Sequence, residues 1–148
     1  MNTFDIDYIK TFIAAHEDSK VYLGVDSQRA KKDKIKFATV VIIHYNGCNG
    51  ARVFHDITYD KIADAKLGRP FNRMMKEVQL VTELYTKLED VLIDREFEIH
   101  LDIAEDPCMG SSVAAGAGKG YIYGMVGIPP VMKPDAWAAS CCADKYSK

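Results

Sequence analysis

Asp26, Glu77, Asp102 and Asp135 each fall where an acid is costly. Asp26 follows the apolar run Val21-Tyr22-Leu23-Gly24-Val25, and Asp102 follows Phe97-Glu98-Ile99-His100-Leu101. Glu77 falls inside the apolar stripe of an expected helix, and Asp135 opens an alanine-rich C-terminal segment. A carboxylate on a core-facing position loses hydration, so it is usually paired or bound to a metal. Four such acids on strand, helix, strand and helix suggest one acidic pocket that holds Mg²⁺ or Mn²⁺. Oxygen-only ligation favours these ions over zinc. Two hard cations about 3.5–4 Å apart can activate a water and stabilise the leaving oxygen of a phosphodiester. On this reading Asp26 and Asp102 are the principal, bridging ligands. Glu77 serves one ion and Asp135 completes the second site. Asp144 lies about two and a half turns further on, near the opposite helix face, so it is not expected to bind the same ion as Asp135 and stands second to it.

Each acid alone also has an ordinary explanation. An acid after an apolar strand is often a turn or cap residue. Asp135 after Lys133-Pro134 suits a helix N-terminus, where the dipole favours negative charge. Glu77 can pair with Arg73 at i−4. Ser27 and Gln28 are candidates to bind a substrate phosphate or to fix Asp26, or they are a plain strand-end turn. Lys133 is a candidate phosphate contact. Arg29, Lys31, Lys32 and Lys34 form a basic turn that could track a nucleic-acid backbone, though such runs are more often solvated loops. Ser111 and Ser112 read as a helix cap. Gly116-Ala117-Gly118-Lys119-Gly120 has the glycines of a phosphate loop but neither its length nor its Ser/Thr. His44 and His100, on strands, read as packing residues.

The elements that must position the acids follow from periodicity. Phe4, Ile9, Phe12 and Ile13 set a short helix over 4–15. Residues 20–26 read as a strand buried on both faces, 35–45 as a β-branched second strand, and 51–58 as a third. The intervening Asn46-Gly47-Cys48-Asn49-Gly50 accepts positive φ, so these three strands read as an antiparallel meander. The longest helix is expected over 71–93. With Met74 as reference and about 100° per residue, Val78, Val81, Tyr85, Leu88 and Leu92 fall within about 40° of it, and Glu77 lies between Val81 and Leu84. Residues 96–103 read as a fourth strand, free to lie parallel beside the first because a crossover helix precedes it. Residues 111–125 could form a small-residue helix packed close to the sheet. Residues 127–133 read as a short fifth strand interrupted by Pro129-Pro130, and 135–146 as the last helix.

With 148 residues the chain suits one domain with a real core, and 48% hydrophobic and 27% charged residues are ordinary for a soluble globular protein. The net charge of −2 supplies no global field for nucleic acid and argues against a non-specific chromatin-type binder. A nuclease is not excluded, since its active site is itself acidic. No apolar run reaches the roughly 18 residues of a membrane helix, and the N-terminus lacks the pattern of a signal peptide. Cys48, Cys108, Cys141 and Cys142 match no zinc spacing, which points to free thiols and a cytoplasmic location.

Gly24-Val25-Asp26-Ser27-Gln28, His100-Leu101-Asp102-Ile103 and Lys133-Pro134-Asp135-Ala136-Trp137-Ala138-Ala139-Ser140, followed by Ala143-Asp144, resemble the YkuK-like family of bacteria and phages. The resemblance covers about residues 20–146, with the Lys-Pro-Asp-Ala segment its most specific part. It implies the ribonuclease H-like fold: an α/β domain spanning 1–148, with a five-stranded mixed sheet, three strands antiparallel and the rest parallel, flanked by helices. It further implies a metal-dependent nuclease acting on RNA, DNA or a hybrid. The alternatives are a catalytically inactive module of the same fold that binds nucleic acid or protein, and a homodimer formed through the helix that carries Trp137, Cys141 and Cys142.

Overall fold

The computed structural model describes residues 4–31, 34–45, 50–61, 71–93, 95–101, 112–132 and 135–147. Helix α1 spans Ile6–Ala15 and begins at Asp5, whose carboxylate accepts hydrogen bonds from the backbone N–H of Asp7 and Tyr8. Capping of this kind satisfies donors that the first turn leaves without partners. Three strands follow: β1 (Lys20–Arg29), β2 (Ile35–His44) and β3 (Ala51–Asp60). Helix α2 (Phe71–Leu92) crosses to β4 (Phe97–Leu101), and α3 (Ser112–Val126) comes next. Gly127, at φ +89°, closes α3 by donating its N–H to the Tyr123 carbonyl, a left-handed ending that glycine adopts without steric cost. The chain then forms a π-helical stretch, Ala138–Ala143, and a last short helix α4, Asp144–Ser147.

The sheet order is β3-β2-β1-β4. β1 and β2 pair antiparallel, as do β2 and β3, while β4 runs parallel to β1 with Val21 opposite Phe97 and Val25 opposite Leu101. The meander and the parallel fourth strand match expectation. The fifth strand does not. Among the described residues it shrinks to a single parallel bridge between His100 and Val131. Leu101 N–H donates to the Val131 carbonyl at 2.9 Å, and Val131 N–H donates to the Ile99 carbonyl at 2.8 Å. Pro129 and Pro130 have no N–H to give a ladder, so the pairing cannot extend from Val131 toward Gly127.

Alternation along β1 divides its side chains between two cores. Val21, Leu23 and Val25 are fully buried beneath α1 and α2, against Ile9, Ile13, Val78, Val81 and Leu88. These α2 residues are the stripe expected from periodicity. Tyr22 and Gly24 face the other way, toward the π-helical stretch, where Ala138 and Ala143 pack with Val40 and Ile42 of β2. The last helix expected over 135–146 is thus present but begins three residues late and is wound with a wider turn.

Gly24 lets that stretch approach. A Cβ at Gly24 would lie 2.7 Å from the Ala138 carbonyl carbon and 2.8 Å from its oxygen. Backbone atoms cannot swing aside as a flexible side chain can. Gly24→Ala is therefore expected to destabilise the protein by about 1–3 kcal/mol, the usual cost of overpacking. Gly120→Ala, where nothing lies within 4 Å, should be neutral or stabilising by up to about 1 kcal/mol. Urea unfolding midpoints of the two variants test the contrast, and equal midpoints would contradict it.

Candidate functional site

The polar end of β1 begins at Asp26. The residue is 6% exposed and lies on the face covered by the C-terminal segment, where the Ser147 hydroxyl donates to Asp26 Oδ2 at 3.2 Å. The next residue, Ser27, turns to the opposite face and is fully buried. Its hydroxyl donates to Glu77 Oε2 at 2.6 Å. Arg73, one turn before Glu77 on α2, donates from Nε to Ser27 Oγ at 2.7 Å and from Nη2 to the Ser27 carbonyl at 2.8 Å. Glu77 is 4% exposed, as its place inside the apolar stripe requires.

Asp26 and Glu77 therefore stand at the same end of the central strand but reach it from opposite faces. Among the described residues no three His, Cys, Asp or Glu side chains come together as a metal site. Asp102 and Lys133 lie outside the described residues. Strand β4 runs beside β1 as far as the pair Val25–Leu101, one residue before Asp26 and before Asp102. Beyond that pair, among the described residues, the strand pairing of β1 from Asp26 to Arg29 is with β2. Asp135 is exposed, in a turn that precedes the π-helical stretch. Asp144 begins α4, and its side chain lies outside the described set. Gln28 is half-buried. The segment Gly116–Gly120 is helical, within α3, so it forms no phosphate loop.

The C-terminal segment is held by a residue that reads from sequence as packing alone. His100 is fully buried on β4, and its Nδ1 lies 3.1 Å from the backbone N of Ala138. A backbone N–H only donates, so Nδ1 must accept and the ring proton sits on Nε2. Nε2 then donates to Glu98 Oε1 at 3.1 Å, and Lys20 pairs with Glu98 Oε2 at 2.6 Å. Burial pushes the His100 pKa down, against the hydrogen bond to Glu98 that raises it. Burial pushes Glu98 up, but the hydrogen bonds from Lys20 and His100 outweigh it and hold the carboxyl below its ordinary value. Trp137 stacks on His44 and meets Tyr22 and His100 edge-on or tilted, with ring centroids 4.6–5.4 Å from its own. Its ring is thus engaged within the chain, as is half-buried Cys142 beside Ala138 and Ala143.

The family model for ribonuclease H-like proteins matches residues 6–148. The chain belongs to the ribonuclease H-like family. No curated protein and no solved structure matches it. The mixed sheet flanked by helices accords with ribonuclease H-like membership, and membership points to a nuclease-like or nucleic-acid-binding function. No helix among the described residues is long and apolar enough to cross a membrane.

Stability should depend on pH through His100. Its folded pKa lies below the ordinary value of about 6.5, so below that pH the unfolded chain takes up a proton that the native state refuses. The stabilisation is complete above about pH 6.5 and is lost as pH falls toward the folded pKa. His55, stacked on Tyr146 and also lowered by burial, contributes with the same sign. Urea midpoints are expected to fall from pH 7.5 to 5.5, and His100→Gln should be less stable at pH 7.5 with a shallower decline. An equal decline in that variant would remove His100 as its source.

Proposed function

We propose that this chain is a metal-dependent nuclease of the YkuK-like branch, acting in the cytoplasm on RNA, DNA or a hybrid. The observation that carries the reading is the pair of buried carboxylates, Asp26 and Glu77, at one end of the central strand of a ribonuclease H-like chain. Buried carboxylates need compensation, and hard oxygen donors suit Mg²⁺ or Mn²⁺. The donor chemistry fits such ions, provided that Asp102 joins the described acids. Asp26, Glu77 and Asp102 would hold the cations at the flank of β1 beyond Val25. Asp135, or Asp144 as second choice, would complete the set from the C-terminal segment. Bound there, the ions would supply charge to activate a water and to stabilise the leaving oxygen. The chain's own part is to orient the carboxylates. Gln28 and Lys133 are candidate phosphate contacts. Ser27, being fully buried, would fix Glu77 rather than touch substrate.

The rival reading is a non-catalytic binding module. It is favoured by the opposite faces from which Asp26 and Glu77 approach the strand. Cleavage assays separate the two. With Mn²⁺ or Mg²⁺ the chain should cut some single-stranded, hybrid or branched nucleic acid, and EDTA should stop it. Asp102→Asn should lose cleavage by at least about 100-fold while keeping or improving substrate binding, because it removes both a ligand and a repulsive charge. Intact RNA, DNA, hybrid and junction substrates with both metals would favour the binding module.

Millimolar Mn²⁺ should also raise the melting temperature, since an ion that binds only the native state stabilises it by mass action. Asp26→Asn should abolish that response. An unchanged melting temperature in wild type would count against the metal reading.

A further inference from the structure

We infer that Arg73 is a positioning residue that acts on Glu77 through the Ser27 hydroxyl. The inference rests on the metal-dependent reading above. A serine hydroxyl has one proton, and a guanidinium can only donate. Arg73 Nε donates to Ser27 Oγ at 2.7 Å, so the hydroxyl proton is directed elsewhere, and Glu77 Oε2 takes it at 2.6 Å. A hydrogen bond to a carboxylate at that length is charge-assisted and strong. The second donor, Nη2, binds the Ser27 carbonyl at 2.8 Å and fixes the guanidinium to the β1 backbone at two points. The terminal torsion of a glutamate is otherwise broad, so this relay restrains the plane of the Glu77 carboxylate. It also brings a positive charge to a buried negative one without a direct contact having to form.

The geometry needs a fork. A lysine ammonium carries its three donors on one freely rotating atom, so it would hold Ser27 Oγ and the Ser27 carbonyl in a less fixed relation than the planar fork does. Arg73 and Glu77 lie on one side of α2, one turn apart, and Ser27 lies on β1 beneath them. The relay therefore ties the helix that carries one acid to the strand that carries another, Asp26.

Outer-shell partners of metal ligands typically set 10–100-fold of the metal affinity. Mn²⁺ titration of the whole chain by calorimetry, well below the melting temperature, reads this directly. Arg73→Gln and Ser27→Ala are each expected to weaken Mn²⁺ binding about 10-fold or more, and the double variant should lose little beyond either single one, because both break one relay. Arg73→Lys should recover only part of the loss. Lys10→Ala, which removes the exposed pair with Asp90 on α2, should bind Mn²⁺ as wild type. If Arg73→Gln does not fold, Arg73→Lys and Ser27→Ala carry the test. Wild-type Mn²⁺ affinity in the folded Arg73 and Ser27 variants, with Glu77→Gln weakened, would overturn the inference and leave the metal reading standing. A wild-type chain that binds no Mn²⁺ would overturn both.

Discussion

Strand β1 is buried on both faces, and this constraint governs the rest of the structure. A central strand can be apolar on both sides for most of its length, as Val21, Leu23 and Val25 are on one side. At Asp26 and Ser27 it becomes polar while still buried. An unmet hydrogen bond there costs about 1–3 kcal/mol, and a buried charge more. Each face must therefore bring its own polar partners to the strand. On one face α2 supplies Glu77 and Arg73, and on the other the C-terminal segment supplies Ser147. The apolar core holds α2 in place along its length, so these polar contacts set its position at one end rather than its attachment.

The C-terminal segment has less apolar surface to offer and relies on closer contact. Its backbone rests against Gly24, and the Ala138 N–H is received by His100. His100 in turn is oriented by Glu98 and Lys20 at the edge of the same sheet. One buried histidine thus links β4, the strand that leads to Asp102, to the segment that carries Asp135 and Asp144. π-Helical turns occur often at functional sites, where the wider winding re-aims side chains. Here the wider turn accompanies burial of Ala138, Ala139 and Ala143 against the sheet.

Much of this was legible in the sequence, for physical reasons. Four strands and the helices α1 and α2 follow from apolar runs and their periodicity. Helix α3 is expected from its small residues as a helix close to the sheet and instead packs mainly on α2, with no neighbour within 4 Å of where a Cβ would stand at Gly116, Gly120 or Gly124. The burial of Glu77 follows from its angle within the α2 stripe. The fifth strand was overestimated because the apolar run Gly127-Ile128-Pro129-Pro130-Val131-Met132 satisfies a hydropathy pattern while its prolines cannot satisfy a ladder. The π-helical winding carries no periodic signal that separates it from an α-helix over so few residues. Ser27 reads from sequence as a phosphate contact, a support for Asp26 or a plain turn, because a hydroxyl after a strand-end acid suits all three; it supports Glu77 instead. Its burial depends on α2 arriving from 46 residues further along the chain with Arg73. The opposite faces of Asp26 and Glu77 follow from strand alternation, but only once α2 is known to pack on the Val25 face. The stacking of Trp137 on the chain's own His44 joins residues far apart along the sequence and carries no local signal.

The account turns on whether Asp26, Glu77 and Asp102 share cations at the flank of β1. Anomalous diffraction from a crystal soaked in Mn²⁺ addresses this most directly. The account predicts anomalous density bonded to Asp26 and Asp102, with Glu77 on one of the ions. Density that avoids these three carboxylates would contradict it.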